Sequence, residues 1–102
     1  MAVDTFVRRK ANYQDPRLVP LRKEGIALLE KHGAVSHRFG YYHSGVHAGQ
    51  ILVVVDYPDM VTHERAMQSM SQDADWQRVA GEIEKIVAPW QEMYLTVITE
   101  VQ

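Results

Sequence analysis

Ile51-Leu52-Val53-Val54-Val55-Asp56-Tyr57-Pro58-Asp59 is the most informative segment of the sequence. Its first part is rich in β-branched and aromatic residues and predicts a strand, while the proline and aspartate end that strand and cap a following helix. Residues 51–55 are apolar at every position, so both faces of this strand are predicted to be covered. Such a strand belongs inside a layered fold.

Upstream of this strand, the sequence predicts a strand, a helix and a second strand. Residues 2–11 mix β-branched, aromatic and charged residues in the manner of a strand. Asp15 followed by Pro16 predicts an N-cap and the first position of an amphipathic helix, which Gly33 ends. Residues 35–44 are again rich in aromatic and β-branched side chains, and turn-forming residues follow them. This segment and the quoted strand are predicted to form a hairpin.

Downstream, the pattern predicts a helix broken in two and a last strand. Methionines recur at helical spacing over 60–70, and the polar segment 71–75 interrupts the helix. Apolar residues spaced by three or four then continue over 76–87 until Pro89 ends the second part. The last predicted strand covers 91–101.

The predicted order is β-α-β-β-α-β, which is the ferredoxin-like arrangement of the α+β class, with one antiparallel four-stranded sheet in a single domain spanning 1–102. Both helices would cover the same face of that sheet. Residues 51–55 are nevertheless apolar on both faces, and 93–98 are nearly so. Because no further segment is left to cover the second face, the sequence predicts a homodimer closed by two such sheets.

Composition limits the classes of function. The chain has 13 acidic and 11 basic residues, a net charge of -2, and no cysteine. No basic field is present to attract nucleic acid or an anionic membrane surface, so neither partner is expected. The lack of cysteine excludes disulfides and thiolate zinc sites. No export signal and no membrane span are found, and the cytoplasm is the expected location.

The element order, residues 53–59 and the segment Ser71-Gln72-Asp73-Ala74-Asp75-Trp76-Gln77 together resemble the dimeric α+β barrel superfamily. That superfamily includes the antibiotic-biosynthesis monooxygenase-like, stress-responsive barrel and NIPSNAP-like domains, and the tryptophan segment is similar to one found in NIPSNAP-like sequences. The resemblance covers the whole chain and implies a dimeric barrel. Its members include cofactor-free oxygenases, haem degraders and polyketide cyclases, so the resemblance alone leaves the activity open.

Departures from these members restrict what the resemblance implies. The haem-degrading branch uses a helix histidine as axial ligand, and residues 76–88 contain none. The plant cyclases carry a histidine in the loop after the second helix, where this chain has Asp-Ala-Asp at 73–75. The quinone-forming oxygenases have tryptophan, tyrosine and asparagine around the pocket, places that Asn12, Tyr41, Tyr42 and Trp76 could hold. No cofactor is therefore expected.

A cluster of histidine and aromatic side chains is the main candidate site. Strand parity places His37, Phe39, Tyr41 and His43 on one face. This face is interpreted as a half-solvated sheet surface at a dimer seam, as the wall of a ligand pocket or as a metal site. Because no carboxylate accompanies the histidines, no metal is predicted. In a pocket, His43 or His37 would act as base, with Tyr41 as hydrogen-bond donor to a developing oxyanion and Phe39 against the ligand.

Other polar residues have two interpretations each. Arg9 shares strand parity with Thr5 and Val7, so it either faces the interior and binds an acidic ligand or guards a rim. Trp76 and Asn12 are the remaining candidate ligand-binding residues. His63 is predicted to be a solvated surface residue, and His32 to cap the end of the first helix.

Two functions follow as hypotheses. The first is binding, with cofactor-independent turnover by oxygenation or cyclisation, of a small hydrophobic or aromatic metabolite. The alternative is a non-catalytic dimer that acts as a ligand-binding, stress-related or assembly protein. An enclosed pocket with a histidine on its wall would favour the first.

Overall fold

The computed structural model describes residues 2–10, 14–87 and 90–98. The elements follow the order β1 (Ala2–Lys10), α1 (Leu18–Lys31), β2 (Ser36–Tyr41), β3 (Gln50–Tyr57), α2 (Met60–Ser71), α3 (Ala74–Ile86) and β4 (Trp90–Ile98). The strands form one antiparallel sheet in the order β2-β3-β1-β4. The predicted α+β, ferredoxin-like fold with a broken second helix is therefore confirmed.

The two faces of the sheet carry alternate residues. In the registers of β1 with β3 and of β3 with β2, odd-numbered residues lie opposite odd-numbered residues. The odd-numbered set faces the helices, because Val3, Val55 and Tyr57 pack with Ala66 and Met70 of α2 in the buried core. Even-numbered residues of the same strands consequently face away from the helices.

Helix α1 begins later than the sequence predicts. Asp15 and Pro16 were expected to form its N-cap and first position, whereas the helix starts at Leu18. The Asp15 carboxylate instead accepts hydrogen bonds from the backbone and the guanidinium of Arg17, at 2.9 and 2.7 Å. The Leu18 N–H donates to the Asp15 carbonyl at 3.0 Å. Asp15 thus stabilises a turn before the helix, for which an aspartate-proline pair is equally suited.

Helix α1 ends at a glycine that the backbone requires. Gly33 has a φ of +116°, a conformation that residues with a Cβ rarely adopt. The Ala34 N–H donates to the Leu29 carbonyl at 3.0 Å and satisfies one of the last carbonyls of the helix. A Cβ at position 33 would also lie 2.9 Å from Thr62 Cγ2. The predicted role of Gly33 as helix terminator is confirmed.

Aspartates cap both helices that follow β3. The Asp59 carboxylate accepts from the Thr62 N–H at 2.7 Å, as predicted for the start of α2. The Asp73 carboxylate accepts from the Asp75 N–H at 2.9 Å at the start of α3. The His32 imidazole also lies 2.6 Å from Asp73, and this hydrogen bond is the main reason that the pKa of Asp73 is lowered to about 2. His32 therefore joins the end of α1 to the break between α2 and α3.

Gly25 is expected to tolerate a side chain. It is buried in the interior of α1, and a Cβ there would lie 3.6 Å from Val79 Cγ1, an ordinary van der Waals contact. Because glycine destabilises a helix interior, Gly25→Ala should raise the free energy of unfolding by about 0.5–1 kcal/mol. Calorimetry should show a Tm increase of about 4 °C.

Gly81→Ala is the matched control, because Gly81 lies in α3 with no heavy atom within 4 Å of its Cβ position. A gain for Gly81→Ala together with a loss for Gly25→Ala would show that α1 needs the glycine for its approach to α3.

Within the part of the chain that the structure describes, no helix is long and apolar enough to cross a bilayer.

Candidate functional site

The sheet and the helices line a partly open cavity of about 490 Å³. This volume lies in the range of small-molecule pockets, about 300–1,000 Å³. Its floor is the helix-facing side of the sheet and includes Thr5, Val7, Arg9, His37, Phe39 and Val53. Its roof consists mainly of apolar side chains and includes Leu21, Arg22, Ile26, Leu29, Met70 and Trp76. The cavity is thus mostly apolar, with polar groups at a few places.

The strand register arranges the floor in rows. Val55 lies opposite both His37 of β2 and Thr5 of β1, so these three residues form one row across the sheet. Neighbouring strands are about 4.8 Å apart, which puts the backbones of His37 and Thr5 about 10 Å from each other. A planar molecule lying over Val55 would therefore have the histidine on one side and the threonine on the other.

Four of the predicted site residues lie together in this cavity. The lining includes Arg9, His37, Phe39 and Trp76. They come from two strands and from the first turn of α3, where the Asp73 cap fixes the backbone beside Trp76. For the strand residues of this set, the predicted alternation agrees with the structure, in which odd-numbered residues face the helices.

Two other predicted site residues lie elsewhere. Tyr41 and His43 are outside the cavity lining, and their rings contact each other edge to face with centroids 5.0 Å apart. Strand β2 ends at Tyr41, so alternation no longer fixes the direction of the exposed His43. Asn12 lies outside the described residues.

Arg9 is buried at one end of the floor. Only 5% of its surface is exposed, and its Nη2 atom lies 2.9 Å from the Glu84 carboxylate of α3. A buried charge requires such a partner, because desolvation of an unpaired guanidinium is very costly. Of the two interpretations of Arg9, the structure matches the interior position rather than the rim.

Arg22 and Thr5 are among the polar residues of the cavity that were missed in the sequence. Arg22 lies in the roof, with its guanidinium carbon 4.6 Å from the centre of the Phe39 ring. Arg22 lies one helical turn from Leu18 and from Gly25, which are buried residues of α1. This spacing could have indicated that Arg22 faces the cavity. The Thr5 hydroxyl lies in the floor, and its oxygen is buried without a hydrogen-bond partner among the described residues. Threonine is common in strands, so Thr5 gave no signal of its own.

His37 lies at the edge of the cavity. Its side chain is 34% exposed, and its Nδ1 atom is 3.8 Å from Glu30 Oε1. This separation is longer than a hydrogen bond. His37 therefore combines contact with the cavity, access to water and a nearby negative charge.

A pair of carboxyl groups lies on the opposite face of the sheet. Asp4 of β1 lies directly opposite Asp56 of β3, and Asp4 is almost completely buried. Ser36 donates a hydrogen bond to Asp56. The hydrogen bond with Asp56, together with burial, raises the pKa of Asp4 to about 6, while the same bond lowers the pKa of Asp56. The pair therefore retains a shared proton up to a higher pH than an isolated carboxyl group would.

The raised pKa of Asp4 predicts that the free energy of unfolding decreases as the pH rises from about 4 to about 6. Folding raises the pKa of Asp4 from 3.8, so its contribution to stability is complete below about pH 4 and is lost as the pH rises through about 6. Asp4→Asn cannot ionise and should be more stable than the parent at about pH 8 but equal to it at about pH 4. Thermal melts across this range measure the difference.

Glu64→Gln, which removes an exposed carboxylate of α2, is the control and should follow the parent curve. Parallel curves for Asp4→Asn and the parent would contradict the shared proton.

The prediction that His63 lies at the solvated surface is wrong. His63 is 9% exposed, and its ring contacts the Tyr57 ring edge to face with centroids 5.2 Å apart. It shares one side of α2 with Ala66 and Met70, which are three and seven residues further on. The helical spacing therefore indicated that His63 is buried, whereas its polar residue type suggested exposure. Burial in this contact also raises the pKa of Tyr57.

No three histidine, aspartate or glutamate side chains within residues 2–10, 14–87 and 90–98 converge as a metal site.

The sheet order, the broken second helix and the cavity under the helices define a ferredoxin-like α+β fold. A NIPSNAP family protein from Agrobacterium tumefaciens is similar over 98% of this chain and 95% of its own, with a TM-score of 0.73 and 13% identity. A NIPSNAP domain protein from Burkholderia xenovorans is similar over 97% and 95%, with a TM-score of 0.73 and 16% identity. These similarities match the superfamily that the sequence resembles.

SnoaB from Streptomyces nogalater, a cofactor-independent oxygenase, is similar over 98% of this chain and 92% of its own, with a TM-score of 0.66 and 13% identity. At such identities the likeness concerns the fold alone. Residues 5–87 match the family described as Domain of unknown function (DUF6854), and the chain belongs to that family. No curated protein sequence matches it significantly.

Proposed function

We propose that this protein binds a small hydrophobic or aromatic molecule in the cavity between the sheet and the helices. The observation that supports this function is the cavity of about 490 Å³, which has an apolar roof and a few polar groups in its walls. Such a combination favours an apolar ligand held in one orientation by a small number of hydrogen bonds.

Binding can be tested with 2-naphthol as the probe. It should quench the emission of Trp76, which lies in the roof, and should raise the Tm as RT ln(1 + [L]/Kd) predicts. Trp76→Phe separates this signal from that of the second tryptophan. Val53→Phe adds volume to the floor and should weaken binding at least tenfold, an effect of about 1.4 kcal/mol.

Val61→Phe is the matched control, because Val61 is 59% exposed on α2 and lies outside the cavity lining. Equal binding by the parent, Val53→Phe and Val61→Phe would place the ligand elsewhere and refute the proposal.

Turnover of the bound molecule is a second proposal, and the position of His37 favours it. A neutral imidazole at the cavity edge can remove a proton from a phenolic O–H or an acidic C–H group, and Glu30 at 3.8 Å would stabilise the imidazolium. Both candidate reactions, oxygenation with O₂ as oxidant and cyclisation, can begin with that step. His43, the other predicted base, is exposed and outside the cavity, which makes His37 the better candidate.

The proton transfer can be measured without knowing the substrate. The protein should accelerate deuterium exchange at the acidic C–H group of 2-tetralone, followed by NMR in D₂O. His37→Gln should reduce the acceleration by about 100-fold, the usual contribution of a general base. His43→Gln is the control and should leave the rate unchanged. A loss only in His43→Gln would assign the base to that residue instead.

We propose further that the protein is a homodimer whose partner sheet covers the face away from the helices. This proposal is supported by the half-buried Phe6 and Leu52, which lie on that face beside a groove of about 450 Å³. Apolar faces of this kind commonly mark subunit interfaces.

Leu52→Asp should convert the dimer to a folded monomer of about half the mass, measured by analytical ultracentrifugation with circular dichroism as the check on folding. A parent protein that sediments as a folded monomer at micromolar concentration would refute the dimer. The non-catalytic alternative retains the dimer and the ligand but predicts no exchange above the background rate.

A further inference from the structure

The charged residues of the cavity wall all have the same sign. Arg9, Arg22 and Arg38 contribute to the lining, and no aspartate or glutamate of the described residues does. Arg9 is already bound to Glu84. Arg38 of β2 lies near Asp56 of the neighbouring strand β3, and its charge helps to lower the pKa of that carboxyl group. These two guanidiniums therefore have nearby negative charge of their own.

Arg22 differs from the other two arginines. Its guanidinium lies over the face of the Phe39 ring at 4.6 Å from the centroid, and no carboxylate in the described part of the chain pairs with it. A ring face attracts the cation and holds it in place, but it does not neutralise the charge. The half-buried Arg22 thus presents a fixed positive charge at the wall of an apolar cavity.

A second polar group in the cavity also lacks a partner. The Thr5 oxygen is buried and makes no hydrogen bond with the described residues. Buried hydroxyl groups are normally hydrogen-bonded, so this one is free to bind a polar atom of a ligand. Arg22 in the roof and Thr5 in the floor thus provide two polar contacts on opposite sides of an apolar space.

We propose that the natural ligand is an aromatic carboxylate and that Arg22 binds its carboxylate group. This inference rests on the proposed binding function. The guanidinium is a planar fork that can donate two parallel hydrogen bonds to a carboxylate. Arg22 has no carboxylate partner among the described residues, which suits a ligand with a single negative charge. The aromatic part of the ligand lies against Phe39 and Val53 in the floor, below Trp76.

A matched pair of probes tests the inference. 2-Naphthoate and 2-naphthamide have nearly the same shape, but only the first is an anion at neutral pH. Titration calorimetry of the parent protein should give naphthoate an affinity about 10–100 times higher than naphthamide, the range expected for a charged hydrogen-bonded pair. Arg22→Met keeps apolar volume and should remove this preference, so that the two probes bind with similar affinity.

Arg17→Met is the control variant, because Arg17 also carries a positive charge but is exposed, bound to Asp15 and outside the cavity. It should retain the preference for naphthoate. Equal binding of the two probes to the parent would overturn the anion inference and leave the binding function intact. A preference that survives in Arg22→Met would overturn the role of Arg22. Binding of neither probe would refute the binding function and this inference with it.

Discussion

Gly33→Ala should lower the free energy of unfolding by about 2–4 kcal/mol. The backbone at position 33 has a φ of +116°, and holding a residue with a Cβ there costs about 1–3 kcal/mol. The added Cβ would also lie 2.9 Å from Thr62 Cγ2, which forces α2 or the end of α1 to shift. Chemical denaturation of the parent and the variant measures the loss.

The two causes can be separated with a second substitution. Thr62→Ser removes the Cγ2 atom, so Gly33→Ala with Thr62→Ser should recover the steric part of the loss and retain the backbone part. A parent-like stability for Gly33→Ala alone would show that the turn after α1 adopts another conformation at no cost.

Tyr57→Ala should be the most damaging single truncation, with an expected loss of about 3–5 kcal/mol. The side chain is 1% exposed and lies between the sheet and α2, where its ring contacts His63. Small domains have about 5–15 kcal/mol of total stability, so the variant should be close to unfolded at physiological temperature.

Tyr57→Phe is the matched control because it keeps the ring and its contact with His63. Its Tm should stay within a few degrees of the parent. If Tyr57→Ala melted like Tyr57→Phe, the ring would contribute little to the core, contrary to its complete burial.

Much of the fold could be predicted because local patterns and overall packing agree. The apolar run of β3 and the Asp59 cap specify a strand and the start of a helix without any other information. The start of α1 was placed too early because Asp15 and Pro16 suit a turn as well as a helix. Only the contacts of Arg17 distinguish the two.

The cavity was predictable only in part. Alternation grouped Arg9 with Thr5 and Val7, and His37 with Phe39, because a regular strand fixes the direction of each side chain. Only the structure shows that both groups face the helices. Alternation failed for His43, which follows the end of β2. The role of Arg22 depends on the Phe39 ring, which lies on another element. Asp4 and Asp56 are far apart in the sequence, and they pair only because of the register between β1 and β3. Local sequence patterns do not determine that register.

The two faces of β3 allow a direct test of where the ligand binds. Val53 and Val55 line the cavity, while Leu52 and Val54 lie on the other face of the same strand. In an isotope-filtered NMR experiment with bound 2-naphthoate, the ring protons should show nuclear Overhauser effects to the methyl groups of Val53 and Val55. Effects confined to Leu52 and Val54 would contradict a ligand site between the sheet and the helices.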